Sequence, residues 1–313
     1  MRASRTIGLA ALLLLACTQR AGVAGAASAA ACEDRGAAAL RVQGSTLCLS
    51  IDDPRAISQT LVEDWILRSA RIVAAYYTRF PAPLVALKIR VEPGSGVRGG
   101  RTTNDAGLMI QVSVGRDSTA AELAADWVLV HEMVHLALPE LGRGHNWLAE
   151  GLAVYVEGIA RAQSGNRDIA DVWAESRHSM PAGLPHEGEG GMDQTHTWGR
   201  TYWGGALFCL QADVEIREQT GNRIGLQTAL QAILKQTGGY RNDRGIDEVL
   251  RIGDAATGTK VLEDLYRDSK ETPLQPDLTA LWSRLGIPDD PKSQPFDDHA
   301  PLAAVRIAIT RKP

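Results

Sequence analysis

The feature that most constrains this chain is an apolar run from Leu123 to Leu138 that carries His131-Glu132-Met133-Val134-His135 near its end. Thr119-Ala120-Ala121-Glu122 opens the run with the pattern of a capping box, and Pro139 closes it. Leu123, Trp127, Val128, Leu129, Val130, Val134 and Leu138 make the intervening helix apolar on most sides, so the fold has to bury it. On such a helix His131 and His135 project from one face, a turn apart. That spacing suits two imidazoles on one tetrahedral zinc ion. Glu132 sits about 100° round the helix from His131 and is placed to reach a water on the metal without itself being a ligand.

A zinc site that does chemistry needs three protein ligands and an open position. A third His six residues beyond the second is absent, because position 141 is Leu. Glu150 is the first acidic side chain in the next well-patterned helix. Pro139, Gly142 and Gly144 allow a turn before it, so a helical hairpin would bring Glu150 back over the His pair. His145 is the rival, but it falls in the Gly-rich turn, so it is expected to be solvent-exposed or a substrate contact.

His131-Glu132-Met133-Val134-His135 followed by Trp147-Leu148-Ala149-Glu150-Gly151 resembles the gluzincin metallopeptidases, the thermolysin-like clan, and in particular its compact peptidase MA-like branch. The resemblance extends to Thr201-Tyr202-Trp203-Gly204-Gly205-Ala206, which is similar to a Tyr-x-x-Gly-Ala segment of the clan's aminopeptidases, and to Glu215 through Asn222. It covers residues 55 to 240, strongly at the zinc motif and weakly elsewhere. It implies His131, His135 and Glu150 as ligands of one Zn2+ per chain, Glu132 as general base and Tyr202 as oxyanion donor. A phenol fits that last role because it is neutral at pH 7 and donates one hydrogen bond. The Gly204-Gly205 pair beside it permits close backbone approach.

Around this centre, 313 residues with 44% hydrophobic content are enough for a sizeable core. A formal charge of −4 excludes nucleic acid as the main partner, since phosphate binding needs a basic surface. Arg2 and Arg5 precede the apolar run Ile7 to Ala16, which reads as an export signal and is too short to span a membrane. Leu14-Leu15-Ala16-Cys17 looks like a bacterial lipobox, and the apolar run ends where a lipobox would end it. Ala29-Ala30-Ala31 offers a second cleavage site. The preferred expectation is an exported periplasmic or outer-membrane lipoprotein, with membrane attachment through a lipidated Cys17. In that oxidising compartment Cys32 and Cys48 are expected to close a disulfide, worth about 3 kcal/mol. Cys209 lies in an apolar run and is expected to be buried.

Ile57, Leu61, Trp65, Ile66, Ile72, Val73 and Tyr76 recur at helical spacing before Pro81. Leu84 to Val91 and Gly107 to Val114 read as strands, with a Gly-rich turn from Pro93 to Gly100 between them. The second strand is expected at the sheet edge above the zinc. Related aminopeptidases carry Gly-x-Met-Glu-Asn there, whose Glu holds the substrate's free amine, whereas Gly107-Leu108-Met109-Ile110-Gln111 has Ile110 at that position. An ammonium group buried without a carboxylate is costly, so an endopeptidase is favoured, with an extended peptide added to the edge.

Beyond the zinc helices, Ser164 to His196 reads as a long loop holding a short helix over Ile169 to Ser176, and Glu157 as a surface charge. Gly225 to Lys235, Ile246 to Ile252, Lys260 to Arg267 and Pro276 to Leu285 read as short helices, and Pro301 to Ile309 as a last helix or strand. The expected fold is α+β, a small N-terminal mixed sheet packed on the zinc-site helix and followed by a mostly helical lobe. The boundaries are a leader and linker over 1–31, an α/β part over 32–118, the helical metallopeptidase part over 119–285 and a tail over 286–313. The expected partner is a peptide or protein substrate. The competing expectation is a non-catalytic zinc-containing envelope binding or structural lipoprotein.

Overall fold

The computed structural model describes residues 30–34 and 36–312, so Cys17 and the export signal lie outside the described residues. The architecture is α+β: a five-stranded mixed sheet followed by a mostly helical region. Strands β1 (Ala38–Val42) and β2 (Ser45–Ile51) form a hairpin through Gln43 and Gly44, at φ 44° and 83°, the left-handed pair that a two-residue turn needs. Cys32 and Cys48 are disulfide-bonded, which ties the chain before β1 to β2.

Helix α1 (Gln59–Tyr76) starts at Ser58, whose hydroxyl accepts from the Leu61 amide, and buries Val62, Trp65, Ile66, Val73 and Tyr76. Strands β3 (Leu84–Glu92), β4 (Val97–Thr103) and β5 (Met109–Gly115) complete a sheet of order β1-β2-β3-β5-β4. β2, β3 and β5 are parallel, and β1 and β4 run antiparallel at the two edges. Val85, Leu87 and Ile89 alternate with the exposed Lys88 and Arg90, and Ile110 and Val112 flank the exposed Gln111. The buried faces of these strands join the α1 stripe in one core.

This order corrects the expected edge. Ile110 lies on an inner strand, opposite Leu87 of β3 and Thr102 of β4, and its side chain is fully buried. The edge beside the metal-site helix is β4, formed from the end of the segment read as a Gly-rich turn and the residues after it. β4 is held by backbone pairing to β5 and presents Arg98, Gly99, Gly100 and Arg101 to solvent, so it lacks the apolar alternation that marks a half-buried strand.

The expected long metal-site helix is also two helices. Its capping box forms as read, with Thr119 and Glu122 bonded reciprocally, but the first helix, α2, covers only Ala120–Ala125. Asp126 is extended at ψ 137°, and its carboxylate accepts from the Val128 and Leu129 amides and from Trp65 Nε1. The side chain thereby caps a new helix, α3 (Val128–His135). The break turns Trp127 outward, 53% exposed, where the single-helix reading had it within an apolar surround.

Helix α4 (Asn146–Gln163) is the axis of the helical region, with α5 (Ile169–Ser179) and α6 (Gly205–Gln219) beside it. A Cβ on Gly151 would stand 2.2 Å from the Gly205 Cα, so these glycines let α4 and α6 cross at backbone contact. Helices α7 (Leu226–Thr237), α8 (Ile246–Thr257), α9 (Val261–Ser269), α10 (Leu278–Leu285) and α11 (Ala303–Thr310) follow, close to the expected positions. The C-terminal segment is helical and packs on α4 and α6, with Gln163 donating to the Ile309 carbonyl. No helix among the described residues is long and apolar enough to cross a membrane.

Glu157 is not a surface charge: only 5% of it is exposed. Arg161 donates to it at 2.7 Å and to the Ala125 carbonyl at 2.9 Å, which links α4 to the end of α2. Burial pushes the Glu157 carboxyl up to about 7 against the pull of Arg161 and Arg167. Removing one partner strands the other inside the protein, so Glu157→Ala is expected to cost about 3–5 kcal/mol. A lowered urea midpoint at unchanged slope would show it.

Candidate metal centre

The His pair and Glu150 arrive from helices joined by a turn, and the fold brings all three donors together. Nε2 of His131 lies 3.2 Å from Nε2 of His135 and 3.2 Å from Oε2 of Glu150, and His135 Nε2 lies 3.5 Å from that oxygen. Their donor atoms all lie within 4.8 Å of one another. With both imidazoles presenting a lone pair at Nε2, the two nitrogens and the carboxylate oxygen are three donors facing one point. This N,N,O set with one side open fits a single Zn2+. His131 is buried, while His135 and Glu150 are partly accessible from the open side. Burial works to raise the Glu150 carboxyl, but hydrogen bonds and charge from the two histidines outweigh it and hold the group at about 2.

Glu132 points to the sheet side of this triad. Its carboxylate Oε2 lies 2.7 Å from the Thr102 hydroxyl, which is also 2.9 Å from the Glu132 carbonyl oxygen. A Cβ on Gly100 would come within 2.5 Å of Glu132 Cγ, so the edge strand makes room for this side chain by having glycine there. The carboxylate is therefore held between β4 and the metal ligands, with only 7% of the residue exposed. The sequence reading did not find Thr102 or Gly100.

Tyr202 reaches the centre from the other side. It lies in a π-helical turn, Arg200–Gly204, that leads into α6, a wide turn often found at functional sites. Its ring stacks on His131 at 6.4 Å between centroids and 18° between planes. Burial, then the charge of Glu150 and a hydrogen bond to it, then the charge of Glu132 push the phenol above its ordinary range.

His145 is not a ligand. Its Nδ1 lies 3.0 Å from the Leu141 carbonyl and its Nε2 3.2 Å from the Tyr266 hydroxyl. That hydroxyl donates to Asp193, which also accepts from Trp147 Nε1 at 2.8 Å. The cluster pins the start of α4, and hence Glu150, to the helical lobe. Tyr266 and Asp193 lie far apart in sequence and carry no local signal.

No family model and no curated protein sequence matches the chain. Solved structures do. An aminopeptidase N family protein from Idiomarina loihiensis matches with a TM-score of 0.56 at 14% identity, over 80% of this chain and 49% of that one. An M1 zinc metallopeptidase from Deinococcus radiodurans matches with a TM-score of 0.47 at 16% identity, over 77% of this chain and 52% of that one. The chain spans about half the length of these structures. The likeness to the first is one of fold: over the matched part the chain shares the fold of that aminopeptidase N family protein, and within it His131, His135 and Glu150 form the candidate zinc centre.

Proposed function

We propose that the chain is a zinc metallopeptidase that cleaves peptide bonds within a chain. The observation that carries this reading is Glu132, held by Thr102 beside the three converging donors of His131, His135 and Glu150 with Tyr202 opposite. Zinc held by those donors would polarise the scissile carbonyl and lower the pKa of a bound water from 15.7 toward about 7. Glu132 takes the proton of the attacking water and returns it to the leaving amine. Thr102 fixes the carboxylate for both transfers. The Tyr202 phenol donates to the oxygen on which negative charge develops.

The edge strand supports an endopeptidase. Val97-Arg98-Gly99-Gly100-Arg101-Thr102-Thr103 carries no acidic side chain that would hold a free amine, and Gly99-Gly100 leaves its outer backbone open to an extended peptide. The Cys32–Cys48 disulfide supports export to an oxidising compartment, with Cys17 as the proposed lipid anchor. The test is a library of peptides blocked at both ends and a matching set with free amino termini, each incubated with zinc-loaded protein before and after chelation. Internal cleavage that chelation abolishes is the expected result. Cleavage confined to peptides with free amines would contradict the endopeptidase reading, and no cleavage of either set would leave a binding protein.

A further inference from the structure

Of the 7 tryptophans, Trp65, Trp147, Trp173 and Trp282 are buried, while Trp127 and Trp198 are 53% and 65% exposed. An indole left in water is unusual, and both of these stand against the candidate centre. Trp127 is one turn before His131 and meets its imidazole edge-on at 5.7 Å. Trp198 is one turn before Tyr202 and stacks on its ring at 5.8 Å and 25°. Tyr202 stacks on His131 in turn. Four aromatic rings thus form one row, Trp127, His131, Tyr202 and Trp198, whose two middle members belong to the centre and whose two ends are open to solvent.

We infer that Trp127 and Trp198 are specificity-determining walls of the substrate cleft, which select peptides bearing an aromatic or large aliphatic side chain next to the scissile bond. The inference rests on the metallopeptidase reading and adds a substrate class to it. A peptide whose carbonyl lies between Glu132 and Tyr202 has its neighbouring side chains beside this row, because each indole is in van der Waals range of a ring at the centre. Covering exposed indole with apolar or aromatic surface is favourable and non-directional. Added ring-to-ring contact contributes roughly three- to tenfold per indole. A small or charged side chain gains nothing there. Neither Trp is needed to fill the core, so their exposure has no structural compensation elsewhere.

The experiment compares internally quenched peptides that differ only in the residue flanking the cleavage site, Phe or Leu against Ala or Asp, on the zinc-loaded full chain. The readout is the Phe-to-Ala ratio of kcat/KM. We expect a ratio of roughly ten or more, falling several-fold in Trp127→Ala and in Trp198→Ala and largely restored in the Phe variants, with the change carried by KM. A purely structural role would lower both peptides alike and leave the ratio standing, which would overturn the inference. A wild-type ratio near one would overturn it too, while the metallopeptidase reading would stand. Failure of zinc-loaded protein to cleave any peptide would overturn that reading, and this inference with it.

Discussion

Glu132→Gln is expected to lower kcat by about 10²–10⁴-fold, the usual contribution of a positioned general base, while the protein keeps its fold and its zinc. The amide is nearly isosteric with the carboxylate, and its oxygen can still accept from the Thr102 hydroxyl, which lies 2.7 Å from the native Oε2. Gly100 leaves the same space for it. The substitution therefore removes proton transfer and little else. KM should move little, because the loss falls on the chemical step. Steady-state kinetics beside zinc content separate the cases: an inactive variant that has also lost metal would point to a structural role for Glu132, and an active one would remove it from the mechanism.

Tyr202→Phe is the second large effect, a fall in kcat of about 10²–10³-fold, the cost of losing one donor to a developing oxyanion. The ring's contacts survive the change, since Phe can keep the stacking on His131 and Trp198. The hydroxyl is what is lost. Burial, then the charge of Glu150, push the phenol above its ordinary range, the direction that favours the protonated donor. A Phe variant with wild-type kcat would leave the ring a purely aromatic spacer between His131 and Trp198.

What was legible in the sequence follows from how local each feature is. His131, Glu132 and His135 lie within little more than one turn of helix, so their spacing is local, while Glu150, in the first turns of the next amphipathic helix, was chosen over His145 with the help of the family resemblance. Helices α7 to α10 are bounded by Gly and Pro and were read nearly in place. β4 was missed because an edge strand kept by its ladder to β5 needs no apolar alternation, and Arg98, Gly99, Gly100 and Arg101 look like a turn. Taking β5 for the edge was the consequence. The break between α2 and α3 is a local cap by Asp126, whose carboxylate also accepts from Trp65, sixty-one positions away. The pairing of Glu157 with Arg161 has helical spacing and could be read, but its burial is tertiary: Arg161 also holds the Ala125 carbonyl. Thr102 matters only because β4 lies on α3, a contact no window of sequence contains. Tyr202 was found by resemblance, and its π-helical turn had no signature.

That His131, His135 and Glu150 hold one zinc ion is checked by elemental analysis of the purified chain and of Glu150→Ala after loading with zinc and exhaustive dialysis. About one zinc per chain in the parent is expected, and a marked loss in the variant, since three protein ligands are needed for a tight catalytic site. The parent should also melt at higher temperature with zinc than without, by the linkage of binding to folding, and the variant should lose most of that difference. A folded parent that emerges from zinc loading without metal, or a Glu150→Ala variant that retains the full complement, would contradict the account.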